Sequence, residues 1–156
     1  MAGGLDGKSG ATKWQIPRLR KVSFSSPVVA KVGGRDQLLI SGTEQVASYD
    51  PSSGKPFWAT PATTMATCGT MVWDGDLVFA SGGYPKSETA CLNAKTGQLV
   101  WRNDQKCYEQ SMLAADGYVY AVNDGGIAIC WQASDGREMW TSRLAGGAIS
   151  ALFGVN

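Results

Sequence analysis

The sequence predicts an all-β fold of repeated four-stranded antiparallel units, and three observations carry that prediction. First, a glycine followed by three residues and a tryptophan occurs four times, as Gly10 to Trp14, Gly54 to Trp58, Gly97 to Trp101 and Gly136 to Trp140. The tryptophans stand 44, 43 and 39 residues apart. A period near forty marks a solenoid or a propeller, since one such unit cannot bury its apolar face alone. Second, 20 glycines and six tryptophans, with 44% apolar and 17% charged residues, suit many short strands and tight turns better than a helical bundle. Third, Asp74-Gly75 and Asp116-Gly117 lie at matching places between alternating apolar runs, a strong hairpin signal.

In chain order, residues 5–14 read as the closing half of a unit. Asp6 precedes Gly10 by four residues, as Asp50 precedes Gly54 and Asn93 precedes Gly97; Gln132 takes this place before Gly136. An Asp or Asn there accepts hydrogen bonds from the turn it opens, and glycine supplies the positive φ that closes it. The first complete unit has strands at 26–29, 38–41, 45–49 and 56–58, with Pro56 marking the fourth as an edge because it has no N–H for a ladder. The second runs through 70–73, the Asp74-Gly75 hairpin, 77–80, a long loop 82–88, 89–92 and 99–101. The third has strands at 111–114, 118–122, 127–131 and 138–140. After Trp140, residues 146–153 match an opening strand. The expected organisation is one partial array: an outer strand over about 5–25, units over 26–60, 61–104 and 105–144, and an inner strand over 145–156.

Several function classes are disfavoured. Fourteen basic and 13 acidic residues leave a net charge of +1, which gives no field for nucleic acid or anionic lipid. The run Arg18, Arg20, Lys21 reads as solvated surface. The N-terminus lacks the basic start and apolar stretch of a signal peptide, and no window approaches the roughly 20 apolar residues of a membrane span. With no histidine, Ser/His/Asp and Cys/His catalysis lack their base. Cys68, Cys91, Cys107 and Cys130 contain no Cys-x-x-Cys pair, so no metal site is expected; Cys91 and Cys130 occupy the small buried strand position that Ser48 holds in the first unit.

The pattern small-x-Asp/Asn-x-x-x-Gly-x-x-x-Trp, seen at 48–58 and 91–101, resembles the tryptophan-docking repeats of the quinoprotein-like eight-bladed β-propellers, from Leu5 to Leu152. That superfamily includes pyrroloquinoline-quinone alcohol dehydrogenases and the non-enzymatic BamB-like scaffolds, whose members are often periplasmic. The resemblance implies that Trp14, Trp58, Trp101 and Trp140 pack across onto the neighbouring blade, with Gly10, Gly54, Gly97 and Gly136 as the turn glycines of the same docking motif. The enzymatic branch implies a quinone clamped by adjacent cysteines, which are absent here, and a calcium ion. Glu44, Asn103, Asp104, Asn123 and Asp124 carry suitable oxygens but read more simply as polar loop residues.

Three units do not close a propeller. Either the chain is a piece of a longer propeller, or two chains associate as a homodimer in which front and back strands make two hybrid blades of an eight-bladed ring. The leading expectation is a non-catalytic binding scaffold without cofactor, its partner another protein. The alternatives are a fragment of a quinone-dependent dehydrogenase and a sensor or structural module of a larger protein. The loops between second and third strands and between units share one face, which would present Arg18, Arg20, Glu44, Tyr84, Lys86, Lys106, Tyr108, Glu109 and Asp124 to a partner.

Overall fold

Short turn pairs reverse the chain at regular intervals, and the computed structural model, which describes residues 1–18 and 23–144, places a strand on either side of each. The strands are β1 Ala2–Leu5, β2 Thr12–Ile16, β3 Val28–Val32, β4 Arg35–Ser41, β5 Gln45–Tyr49, β6 Pro56–Pro61, β7 Val72–Asp74, β8 Leu77–Gly82, β9 Glu88–Asn93, β10 Leu99–Asn103, β11 Leu113–Ala115, β12 Tyr118–Val122, β13 Ile127–Gln132 and β14 Glu138–Arg143. They form a hairpin, β1-β2, and three antiparallel meanders in the orders β3-β4-β5-β6, β7-β8-β9-β10 and β11-β12-β13-β14. The fold is thus that of β-propeller blades in an open array.

The differences from the sequence reading are local. The front of the chain contributes two strands, since Ala2 to Leu5 pairs back onto Thr12 to Ile16; the glycine-rich start carries no β signal, so only one strand was legible. The loop expected over 82–88 shrinks because Gly82 pairs with Glu88 and Ser81 with Thr89. The second unit turns through Gly75 and Asp76, as Asp74 already pairs with Leu77. The closing strand expected over 145–156, and Arg20 of the basic run, lie outside the described residues.

Middle strands are buried on both faces because each meander is sandwiched between neighbours. Ala30, Val32, Leu39 and Val46 of the first sheet meet Val78, Ala80 and Leu92 of the second around Trp58 and Met71. Phe79 and Cys91 of the second meet Val119, Ile129 and Trp131 of the third around Trp101, Cys107 and Met112. Ring centroids of Phe79 and Trp131 lie 5.9 and 6.4 Å from that of Trp101.

Each sheet is joined to the next by the same construction. The turn glycines Gly10, Gly54, Gly97 and Gly136 have φ of 71, 73, 75 and 73°, and each donates its N–H to the carbonyl four residues back, at Asp6, Asp50, Asn93 and Gln132. The carboxylate or amide oxygen of Asp6, Asp50 and Asn93 also accepts N–H groups of its own turn. Onto three of these turns the tryptophan of the preceding unit is seated. Trp14 Nε1 donates to Pro51 O at 3.0 Å, Trp58 Nε1 to Ala94 O at 2.8 Å and Trp101 Nε1 to Ala133 O at 2.8 Å. A Cβ at Gly54, Gly97 or Gly136 would lie 2.5, 2.7 or 2.6 Å from the seated indole. Glycine is therefore required twice over at these positions, by the left-handed backbone and by the ring lying against it. Trp140 differs: it is 45% exposed, with no described sheet beyond it, although its ring still meets Tyr120.

The joint between the first and second sheets has extra bonds. Buried Gln37 donates to Val32 O and Ala94 O and accepts from Ser48 Oγ. Arg35 donates to Lys95 O and lies 3.9 Å from the centroid of Phe57. Thr60 Oγ1 donates to Gly97 O at 2.6 Å. No helix of the described residues is long and apolar enough to cross a membrane.

Two stability measurements check this construction. Trp101→Ala should lower unfolding free energy by roughly 3–5 kcal/mol in denaturant melts, the cost of emptying a site of that size; stability equal to the parent would refute the role. Gly75, also at positive φ but facing open space, separates backbone strain from ring contact. Gly75→Ala should cost about 1–2 kcal/mol, whereas Gly97→Ala should cost about 1–3 kcal/mol more for displacing the indole.

Candidate functional site

The meanders place two kinds of connection at opposite ends. One end carries the tight turns that seat the tryptophans; the other carries the β4–β5, β8–β9 and β12–β13 loops and the links between sheets, at 62–71 and 104–112. At the loop end, between the first and second sheets, lies a cleft of about 210 Å³. Glu44, Lys86, Glu88 and Arg102 bring two carboxylates and two cations to its walls, with Pro61, Ala62, Met65 and Pro85 as apolar surface.

Its backbone is unusual. Thr43, Glu44 and Thr63 have φ of 66, 61 and 64°, a left-handed conformation that costs non-glycine residues of order 1–3 kcal/mol each and persists only where surrounding bonds impose it. Those bonds are visible. Thr43 N and Glu44 N donate to Met65 O and Thr64 O, both at 3.1 Å. Thr63 N donates to Glu88 Oε1 at 2.8 Å, while Glu88 Oε2 lies 3.7 Å from Arg102 Nη1. The Thr63 hydroxyl, on a residue 7% exposed, has no hydrogen-bond partner.

A second cluster sits between the second and third sheets. Lys106 Nζ pairs with Asp124 Oδ2 at 2.9 Å, and Tyr108 N donates to Asp124 Oδ1 at 3.4 Å. The Tyr108 ring lies where a Cβ on Gly83 would meet it at 2.6 Å, beside Tyr84, which is exposed. The structure thus gathers Lys106, Tyr108 and Asp124, and separately Glu44 and Lys86 in the cleft. Glu109 is exposed, and Arg18 Nη2 donates to Gly42 O at the far side of the first sheet. Thr63, Glu88 and Arg102 are absent from the sequence-derived set. Extending the ladders to the loop end would have found Glu88 and Arg102; nothing in the sequence announces Thr63.

Three of the side chains considered for calcium have their oxygens engaged elsewhere. Asn103 Oδ1 accepts from Gln105 N, Asn123 Oδ1 accepts from the N–H groups of Gly125 and Ile127, and Asp124 is paired with Lys106. Among the described residues no three His, Cys, Asp or Glu side chains gather as metal ligands. Glu44, Asn103, Asp104, Asn123 and Asp124 therefore do not fit a calcium site.

The four thiols are unbridged, with Cys91, Cys107 and Cys130 buried and Cys68 half-buried. Register explains two of them: Cys91 and Cys130 pair with Trp101 and Trp140 as Ser48 pairs with Trp58. Burial pushes the Cys91 and Cys107 thiols up to about 12 and also raises Cys68. A thiol raised in the folded state favours folding below its unfolded value near 9, and that contribution is lost as pH climbs toward 12. At pH 8 a thiol-specific chromogenic reagent should therefore modify at most Cys68 in the native chain and all four in denaturant; rapid modification of Cys91 or Cys107 without unfolding would contradict the packing.

A family model described as outer membrane protein assembly factor BamB matches residues 2–153. No curated protein sequence matches. Among solved structures, BamB from Moraxella catarrhalis is similar with a TM-score of 0.73 and 20% identity over 90% of this chain. A quinohemoprotein alcohol dehydrogenase from Comamonas testosteroni gives 0.67, with 14% identity over 91% of this chain and 32% of its own. The computationally designed Ika8 protein gives 0.66, with 9% identity over 96% of this chain and 45% of its own. At such identities the likeness is one of fold. The chain spans 45% of the Moraxella BamB structure.

Proposed function

The chain belongs to the family of the outer membrane protein assembly factor BamB, and from that premise we propose that it is a non-catalytic scaffold whose loop-bearing face holds a segment of another protein. The observation that carries this reading is the cleft between the first and second sheets. Left-handed backbone at Glu44 and Thr63, with Thr43 preceding Glu44, and an unpartnered Thr63 hydroxyl occur there, and strain held in place by surrounding bonds is a mark of functional loops. The opposite end holds one left-handed non-glycine residue, Asp116 in the β11–β12 hairpin, and its Asp50 and Asn93 turns satisfy their own N–H groups and are occupied by tryptophans.

The chemistry of the cleft describes its occupant. Two carboxylates and two cations beside proline and methionine surface suit a polypeptide of mixed charge with an apolar residue between its charges. Tyr84 and Tyr108 extend this surface with amphipathic rings, which contribute contact area at small entropic cost. The family's description as an assembly factor agrees with such a role.

The test is photo-cross-linking from both ends of the array in the native host. A photoreactive residue at Lys86 should yield one discrete protein adduct, one at Lys55 on the turn end should not, and Glu88→Gln, which keeps an acceptor for Thr63 N–H but removes the charge facing Arg102, should weaken the Lys86 adduct several-fold. Equal labelling from the two ends would sink the reading. So would a bound-quinone spectrum on adding pyrroloquinoline quinone and calcium, which would favour the dehydrogenase branch instead.

A further inference from the structure

The four charged side chains of the cleft between the first and second sheets differ in what they leave unused. Glu88 is committed: its side chain is 15% exposed, Oε1 accepts the Thr63 N–H at 2.8 Å, and Oε2 stands 3.7 Å from Arg102 Nη1. Glu44 is not free either. Thr64 Oγ1, also at the wall, donates to Ala66 O and accepts from Tyr84 N. Arg102 is the opposite case. A guanidinium has five N–H donors and no acceptor, and this one makes no hydrogen bond among the described residues, since 3.7 Å is an ion-pair distance only. The Thr63 hydroxyl, which can also donate, is buried and unpartnered. Both groups flank one carboxylate, because Thr63 and Arg102 face the two oxygens of Glu88. What the chain leaves unused at this spot is therefore donor capacity.

We propose that this cleft binds a single carboxylate, that of an aspartate or glutamate side chain on the partner polypeptide, which accepts from the Thr63 hydroxyl and from the free N–H groups of Arg102. The inference rests on the partner-binding reading for the occupant being a polypeptide, and adds the group by which that polypeptide is anchored. Charge selects a carboxylate over other anions. Glu44 and Glu88 balance Lys86 and Arg102, so the cleft has no net positive field to hold a phosphate dianion, whereas a monoanion that accepts from two donors is matched. Hydrogen bonds to a charged group are about twice as strong as neutral ones. Size selects a side chain, because about 210 Å³ lies below the roughly 300–1,000 Å³ of small-molecule sites. Pro61, Ala62, Met65 and Pro85 then meet its stem and the residue beside it. The bond also satisfies Thr63, whose buried hydroxyl is otherwise left unmade. Glu88 is the positioning residue, since it holds the Thr63 N–H and faces Arg102, keeping both donors at the wall. Lys86, exposed at the rim, adds attraction during approach rather than a fixed bond.

Nuclear magnetic resonance titration of the whole 156-residue chain at low salt tests it, with leucyl-glutamyl-alanine blocked at both ends and its glutamine and lysine counterparts as probes. The glutamyl peptide should shift the backbone amide signals of Thr63, Glu88 and Arg102 saturably at millimolar concentration, and the glutamine peptide should bind about tenfold more weakly, the loss of one charge-assisted bond. Thr63→Val exchanges the hydroxyl for a methyl group, and Arg102→Gln removes the guanidinium. Each should erase most of the glutamyl preference, whereas a merely structural loss would lower both peptides alike. Equal affinity of the glutamyl and glutamine peptides, preference for the lysyl peptide, no saturation by any of them up to about 20 millimolar, or stronger shifts with inorganic phosphate would each overturn the proposal. The photo-adduct at Lys86 reports the partner-binding reading separately. An adduct from a chain without the glutamyl preference removes this inference alone, and a glutamyl preference without an adduct keeps the carboxylate site while removing that reading.

Discussion

The interaction on which the rest of this structure depends is the bond from an indole N–H to the carbonyl behind the next sheet's turn. A meander of four short strands has two broad faces and cannot bury them alone; most of its stability comes from neighbours. Apolar packing supplies that burial without direction, and two sheets packed only through valine and alanine could slide past one another. The indole fixes the offset, because its donor must find one carbonyl and its ring must lie on one glycine. This constraint explains why aspartate or asparagine, glycine and tryptophan recur as a set: the first shapes the turn, the second leaves it open, the third enters the next one. It also accounts for Ser48, Cys91 and Cys130, since the residue across the ladder from the tryptophan sits in the joint and must be small.

Placing that device at the turn end leaves the loop end free of architectural duty. The turns cannot change without loosening a joint, whereas loops at 42–44 and 83–87 have no such obligation. Three of the four described non-glycine residues with left-handed backbone, Thr43, Glu44 and Thr63, lie at the loop end, against Asp116 alone in a hairpin at the turn end. Their bonds to the 64–65 carbonyls and to Glu88 hold the cleft open in a defined shape. On the proposed reading, function and architecture are separated along the strands, which lets one architecture carry unrelated sites.

The parts of this arrangement that were legible in the sequence are those set by near neighbours. Gly97 and Trp101 lie within one strand and its turn, so glycine, the asparagine before it and apolar alternation reveal the unit. The carbonyl that Trp101 seeks lies 32 residues away on Ala133, a residue with no mark of its own. The front of the chain shows the same limit. Ala2 to Leu5 has two glycines and no alternation, yet it is a strand because Thr12 to Ile16 offers it a ladder. Identical residues also part ways: Trp131 is 2% exposed inside a joint while Trp73 on a first strand is 38% exposed, a difference set by which sheet face meets a neighbour. The loop face was legible as a location, because strand count fixes which connections share an end. The Thr63 conformation was not, because the side chain that accepts its N–H, Glu88, stands 25 residues away.

Directionality has one further consequence. In any array built from a key on each sheet and a socket on the next, the first socket and the last key are unmatched, and they are complementary because every internal pair is. Helical repeat arrays can blunt such ends with polar capping repeats. Here the two ends keep the full equipment of the interior: Gly10 retains the turn bonds, and Trp140 retains its place across from a small residue, with Met139 and Leu144 also exposed beside it. The Asp6–Gly10 turn and Trp140 therefore carry the same joint-forming residues as the interior positions, so one local pattern specifies every joint of the array.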